Sequence, residues 1–196
     1  MQYDVLDKEE VFRGFFRMYR YRLRHSLFAG GMSPEFTREL FERGHSAAVL
    51  PYDPVEDAVV LVEQFRVGAL DTGSSPWLFE TVAGILEPGH SAEETVRREA
   101  REEADAELLD LEHICDYMVS PGGTSERVSL FCGHVKVDGL GGIHGVDDEN
   151  EDIRVHVVSY DEAVDMLHNG ILNSAMPIIA MQWLMMNRER LQDLWA

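Results

Sequence analysis

Three glutamates, Glu99, Glu102 and Glu103, stand at i, i+3 and i+4 within Arg98-Glu99-Ala100-Arg101-Glu102-Glu103. If the segment is helical, that spacing stacks carboxylates along one side. Turning by about 100° per residue from Glu99, the apolar Ala92, Val96, Ala100 and Ala104 fall at about 20°, 60°, 100° and 140°, an arc that must face a core. Glu103 projects at about 40°, inside that arc, with Glu99 at its edge and Glu102 about 60° away on the other side. The same string would also suit a solvated surface helix laced with charge. The geometry argues otherwise, because a carboxylate withdrawn from water costs several kcal/mol unless it is neutralised or given a cation. Hard divalent ions such as Mg²⁺, which take oxygen ligands, would meet that need.

A second acidic run, Asp147-Asp148-Glu149-Asn150-Glu151-Asp152, carries five carboxylates in six positions, and its spacing is not that of an EF-hand. The charge balance agrees with a cation-dependent site. The 196 residues contain 36 acidic and 17 basic side chains, a formal net charge of −19. Residues 1–66 hold nine basic and eleven acidic groups, whereas 67–196 hold eight and twenty-five, so the later part carries −17 of the total. A polyphosphate approaching it would be repelled without metal ions. The same charge disfavours nucleic acid and anionic membranes as partners. No apolar stretch approaches the ~20 residues of a membrane span. Met1-Gln2-Tyr3-Asp4-Val5 lacks the basic start and apolar core of a signal peptide, so a cytoplasmic protein is expected. Cys115 and Cys132 lie in apolar runs without metal-ligand spacing and read as core thiols.

The elements that must position the carboxylates can be read from periodicity. Pro88-Gly89 makes a turn, and Ser91 with Glu94 forms a capping box that starts a helix over 92–104. Tyr19, Tyr21 and Leu23 alternate with Arg20, Arg22 and Arg24, which predicts a half-exposed strand in a small N-terminal sheet. Further strands are expected at 45–50, 58–65, 77–82, 113–119, 128–137 and 153–158, with Pro51-Tyr52-Asp53-Pro54 as a turn. Helices at 161–168 and about 175–194 have Ile, Met, Leu and Trp faces that suit a core. This order of elements implies an α+β fold or a mixed αβα sandwich.

The stretch from Gly84 to Ala106 resembles the Nudix box, G-x5-E-x7-R-E-U-x-E-E-x-G-U, where U is aliphatic. Gly84 supplies the opening glycine, Arg98 to Glu103 the central block and Ala106 the closing residue. Two positions depart from the pattern: His90 replaces the first glutamate and Asp105 the last glycine. The glutamate missing at 90 belongs, in the family, to the groups around the arginine and the metal ligands, so metal affinity is expected to fall on the order of 10–100-fold. Asp105 is the milder change, since Asp tolerates a left-handed helix end better than most residues. Pro121 lies sixteen residues after Asp105, a spacing typical of the ADP-ribose pyrophosphatase branch. Glu63-Gln64-Phe65-Arg66, 80–84, 120–126 and 149–153 resemble the bacterial enzymes of that branch.

The resemblance implies an αβα Nudix domain over 46–196, preceded by an N-terminal strand region over 1–45 that serves dimerisation and substrate contact. It implies hydrolysis of ADP-ribose to AMP and ribose 5-phosphate with two or more Mg²⁺ ions, or Mn²⁺, per site. The metal ligands would be the Ala83 carbonyl, Glu99, Glu103 and Glu151, with Glu102 a further candidate in the catalytic group. Glu149 would be the general base. Arg38, Arg66, Glu126 and Phe15 would contact substrate, Phe15 by stacking and Glu126 by accepting from the adenine amino group. A homodimer with exchanged N-terminal strands would bring Arg38 and Phe15 to the partner's site, and exposed Tyr19 and Tyr21 suit an interface. The sequence is also compatible with three other readings: a Nudix hydrolase of another nucleotide sugar or dinucleotide, a non-catalytic ADP-ribose sensor, and a structural dimer.

Overall fold

The computed structural model describes residues 1–73, 75–146 and 151–195. They divide into two compact units: Met1–His45 with Tyr117–Arg127, and Ser46–Asp116 with Val128–Ala196.

In the first unit, β1 (Tyr3–Arg13), β2 (Arg17–His25) and β3 (Phe36–Glu42) form an antiparallel sheet with β2 in the centre. The arginines of β2 face solvent as the alternation predicts. Tyr19 and Tyr21 are only half-exposed, because the Lys8 ammonium lies 4.1 Å and 5.3 Å above their rings. They are therefore partly covered within the sheet itself. β1 was hidden from periodicity by register shifts at Val5/Asp7 and Glu10/Phe12, each of which inverts the alternation. The segment 117–127 joins this unit through Phe41 N–H donating to Gly123 O (2.8 Å) and Ser125 Oγ donating to Glu42 Oε2 (2.7 Å).

The second unit is built on β4 (Ser46–Asp53), β5 (Ala58–Phe65), β6 (Trp77–Glu80), β7 (Val82–Ile85), β8 (Asp110–Met118), β9 (Arg127–His134), β10 (Gly142–His144) and β11 (Ile153–Ser159). The main path runs β10-β11-β5-β4-β9-β8, with β4 and β9 parallel. β4 and β5 pair only at Tyr52–Val59 and Asp53–Ala58. Beyond that point β6 continues on β5 and β7 on β4, so the expected single strand over 77–82 is divided at Thr81. The expected turn at Pro51-Tyr52-Asp53-Pro54 also shifts. Pro51 and Tyr52 are buried in β4, and the reversal starts where Asp53 Oδ1 accepts from the N–H groups of Val55 and Glu56.

Helix α1 (Ala92–Ala104) covers Ala47, Val49, Val60, Val62 and Val82 with Val96, Ala100 and Ala104, the arc expected from the sequence. The alternate residues Ala48, Leu50, Val59 and Leu61 are equally buried on the opposite face, where α2 (Tyr160–His168) and α3 (Ala175–Trp195) pack against β4, β5 and β11. Cys132 is buried as expected, but Cys115 is only half-buried because it lies on the edge strand β8; both are free thiols. Among the described residues no helix is long and apolar enough to cross a membrane.

Candidate active site

The site of interest lies where β7 meets α1. A tight turn precedes the helix: His90 N–H donates to Glu87 O (3.1 Å) across Pro88-Gly89, and Gly89 takes φ +92°, which a side chain would resist. Ser91 then caps α1, its Oγ accepting from Glu94 N–H (3.2 Å) while Glu94 Oε2 accepts from Ser91 N–H (2.8 Å). At the far end Asp105 adopts the left-handed conformation (φ +50°), and the Asp105 and Ala106 N–H groups close the last turn on Arg101 O and Ala100 O. Asp105 thus does the work of the glycine it replaces.

This framework turns Glu99 and Glu103 inward. Glu103 is 3% exposed, and its Oε2 accepts from Ala83 N–H at 3.0 Å. Burial pushes its carboxyl up to about 8; the Ala83 N–H opposes that rise and the charges of Glu99 and Glu151 add to it. Glu99 is pushed up to about 7, again mainly by burial, with the Arg98 guanidinium opposing and Glu102 and Glu151 adding. Both shifts come mainly from burial with a like charge nearby, and carboxyls perturbed in this way concentrate at functional sites. Gly84 is required there, since a Cβ on it would stand 1.8 Å from Glu99 Oε1.

Arg98 ties the carboxylates together, donating to Glu99 Oε1 and Glu102 Oε2, both at 2.7 Å. Glu102 is accordingly a half-exposed partner of Arg98 and does not share the burial of Glu103. Arg66 donates through Nε to Glu80 Oε2 (2.6 Å), and its charge also acts on Glu103. Glu151 influences Glu99 and Glu103 electrostatically, and its Oε2 accepts from Val146 N–H at 3.4 Å. Among the described residues no three Asp, Glu, His or Cys side chains converge as a finished metal cage. Glu149 lies outside the described residues.

The remaining expected substrate contacts belong to the first unit. Phe15 is 89% exposed and meets Phe16 edge-on at 4.8 Å. Arg38 lies over the Phe36 ring (4.7 Å) and donates to Thr37 O. Glu126 is buried, with Arg43 Nε 3.5 Å away. Two residues not singled out from the sequence matter in the second unit: Glu80, which orients Arg66, and Glu87, which stands beside Arg98 (3.7 Å). Their signal was positional only: Glu80 opens a family-like stretch, and Glu87 precedes the Pro-Gly turn.

Comparison with known proteins agrees with this geometry. The family model for the Nudix domain matches residues 42–177. The ADP-ribose pyrophosphatase of Escherichia coli strain K12 is 49% identical over 193 residues, spanning 98% of this chain and 92% of that protein. The ADP-ribose pyrophosphatase of Haemophilus influenzae is 42% identical over 195 residues, spanning 98% and 90%. A GDP-mannose pyrophosphatase of Pectobacterium atrosepticum is 32% identical over 183 residues, spanning 91% and 92%. Among solved structures, a crystal structure of an ADP compounds hydrolase superposes with a TM-score of 0.72 at 20% identity, covering 99% of this chain and 96% of that one, a likeness of fold. With the box helix, its inward-turned Glu99 and Glu103 and these relatives together, the chain belongs to the Nudix domain family.

Proposed function

We propose that this chain is a divalent-metal-dependent ADP-ribose pyrophosphatase that cleaves ADP-ribose with water to AMP and ribose 5-phosphate. The observation that carries the reading is the pair of buried Glu103 and half-buried Glu99, set against Ala83 and Gly84 with their carboxyls pushed up to about 8 and 7. Near-full-length relatives named for that activity supply the substrate class.

Glu99, Glu103, Glu151 and the Ala83 carbonyl offer an all-oxygen donor set that suits Mg²⁺ or Mn²⁺, two or more ions per site. Such ions, when bound, would neutralise the diphosphate and acidify a water. The protein's own part is to hold the donors in place. Arg98 holds Glu99 over Gly84 and pairs with Glu102 at the surface, and Ala83 N–H fixes Glu103. Arg66, anchored by Glu80 through Nε, presents its terminal nitrogens to a phosphate. Glu149 takes the proton of the attacking water, which adds to one phosphorus as the bridging oxygen leaves on the other.

Arg38, Phe15 and Glu126 form the adenine-side contacts, with Arg38 and Phe15 supplied across a homodimer by exchanged N-terminal strands. Tyr3, Phe12 and Phe15, all well exposed on the first unit, support a second copy as the surface that covers them. Both cysteines are free, as a cytoplasmic enzyme permits. The test is a substrate panel of ADP-ribose, GDP-mannose and a dinucleoside polyphosphate with Mg²⁺ and product analysis. ADP-ribose should give the highest kcat/KM by at least tenfold. Preference for GDP-mannose would reassign the substrate, and no turnover of any would leave a binding protein.

A further inference from the structure

The histidine at position 90 leaves Arg98 without the box glutamate, yet Arg98 is surrounded by three carboxylates. Besides Glu99 and Glu102, Glu87 Oε1 lies 3.7 Å from Arg98 Nη2. The other oxygen of Glu87 lies 3.9 Å from His90 Nδ1. The turn explains how Glu87 comes to be there. Glu87 and His90 are its first and fourth residues, closed by His90 N–H on Glu87 O at 3.1 Å. Pro88 and Gly89, the latter at φ +92°, fix the reversal, and the Ser91 cap locks it to the first turn of α1. The carboxylate three residues before position 90 is thereby brought to the guanidinium that position 90 would otherwise serve.

We infer that Glu87 is the positioning residue that replaces the box glutamate: it steadies Arg98, and through Arg98 the carboxylate of Glu99, so that histidine at 90 does not weaken cation binding. The inference rests on the proposed metal site and extends it. Both partners are exposed to solvent, which screens the pair, so the effect is moderate, roughly three- to tenfold in affinity.

The test compares metal-free wild type, Glu87→Gln, His90→Glu and the double variant by isothermal titration with Mn²⁺ and by thermal melting without metal. Glu87→Gln should bind Mn²⁺ three- to tenfold more weakly while melting within about 2 °C of wild type. His90→Glu alone should change the affinity less than twofold. Added to Glu87→Gln, it should restore the affinity to within twofold of wild type, because a carboxylate again reaches Arg98. Rescue from a different position is not expected of a merely structural role. Wild-type affinity in Glu87→Gln, no recovery in the double variant, or a tenfold gain from His90→Glu alone would each overturn the inference. Failure of wild type to bind Mn²⁺ would instead remove the metal site itself, and this inference with it.

Discussion

Glu99 Oε1 occupies the space directly over Gly84, 1.8 Å from where a Cβ would be. Gly84 is therefore a seat for a carboxylate. Its φ is not in the left-handed region, so the demand for glycine comes from this close approach. Gly84→Ala should displace Glu99 and lower turnover by about 100-fold or more, since misplacement of about 1 Å carries that scale of loss. Circular dichroism should show the fold retained. Turnover within threefold of wild type would mean that Glu99 is not needed where it sits.

Removing the charge from buried Glu103 or half-buried Glu99 should separate stability from activity. Glu103→Gln and Glu99→Gln should each cost on the order of 10²–10³-fold or more in turnover. The metal-free proteins should melt no lower than wild type at pH 8, because a neutral amide no longer pays the desolvation of a carboxylate. Steady-state kinetics and thermal melting of the same preparations check both halves.

Metal-free protein should lose stability as pH rises. Glu99 and Glu103 hold protons more tightly folded than unfolded, their ordinary value being 4.5 and their folded values about 7 and 8. The stabilisation is complete below about pH 4.5 and is lost as pH climbs through 7 and 8. The melting temperature should fall by roughly 5 °C or more between pH 5 and pH 8. Glu103→Gln should flatten that slope, and saturating Mg²⁺ should raise the pH 8 value most, because binding the cation releases the same protons. A slope unchanged in Glu103→Gln would contradict this assignment.

Away from the site, α3 is stapled to the β4–β5 turn. Asp57, at φ +49°, accepts from Tyr52 OH (2.8 Å) and from Arg188 Nε (2.9 Å) and Nη2, while the Arg188 guanidinium lies 4.1 Å over the Tyr160 ring. Arg188→Ala should destabilise by about 1–2 kcal/mol, or roughly 2–8 °C in Tm. Turnover at 25 °C should stay unchanged. A kinetic defect without a stability loss would show that the staple reaches the site.

Legibility followed locality. The limits of α1 could be read because its cap, its apolar arc and its stop are all local signals, and they placed Glu103 inward before any packing was known. β1 escaped because two bulges cancel the alternation on which a strand is recognised. The division at Thr81 escaped too, because the string Trp77-Leu78-Phe79-Glu80-Thr81-Val82 does not record that its halves pair with different strands. For the site, motif spacing singled out Glu99 and Glu103 as candidates, whereas the contacts of Glu80 and Glu87 depend on which guanidinium each meets, and that is set by tertiary placement. Residues 117–127, sequence-distant from the N-terminal strands, join them through Phe41–Gly123 and Glu42–Ser125 contacts that no local pattern announces.

Buried Glu103 and half-buried Glu99 on α1 are proposed to hold a divalent cation for water attack on a nucleoside diphosphate sugar. Turnover of ADP-ribose in ¹⁸O-labelled water, with Mg²⁺ and with chelator, decides this. AMP and ribose 5-phosphate should form in equal amounts, with one ¹⁸O in the phosphate of one product, and no reaction should occur under chelation or in Glu103→Gln. Undiminished turnover with chelator, or products carrying no label, would contradict it.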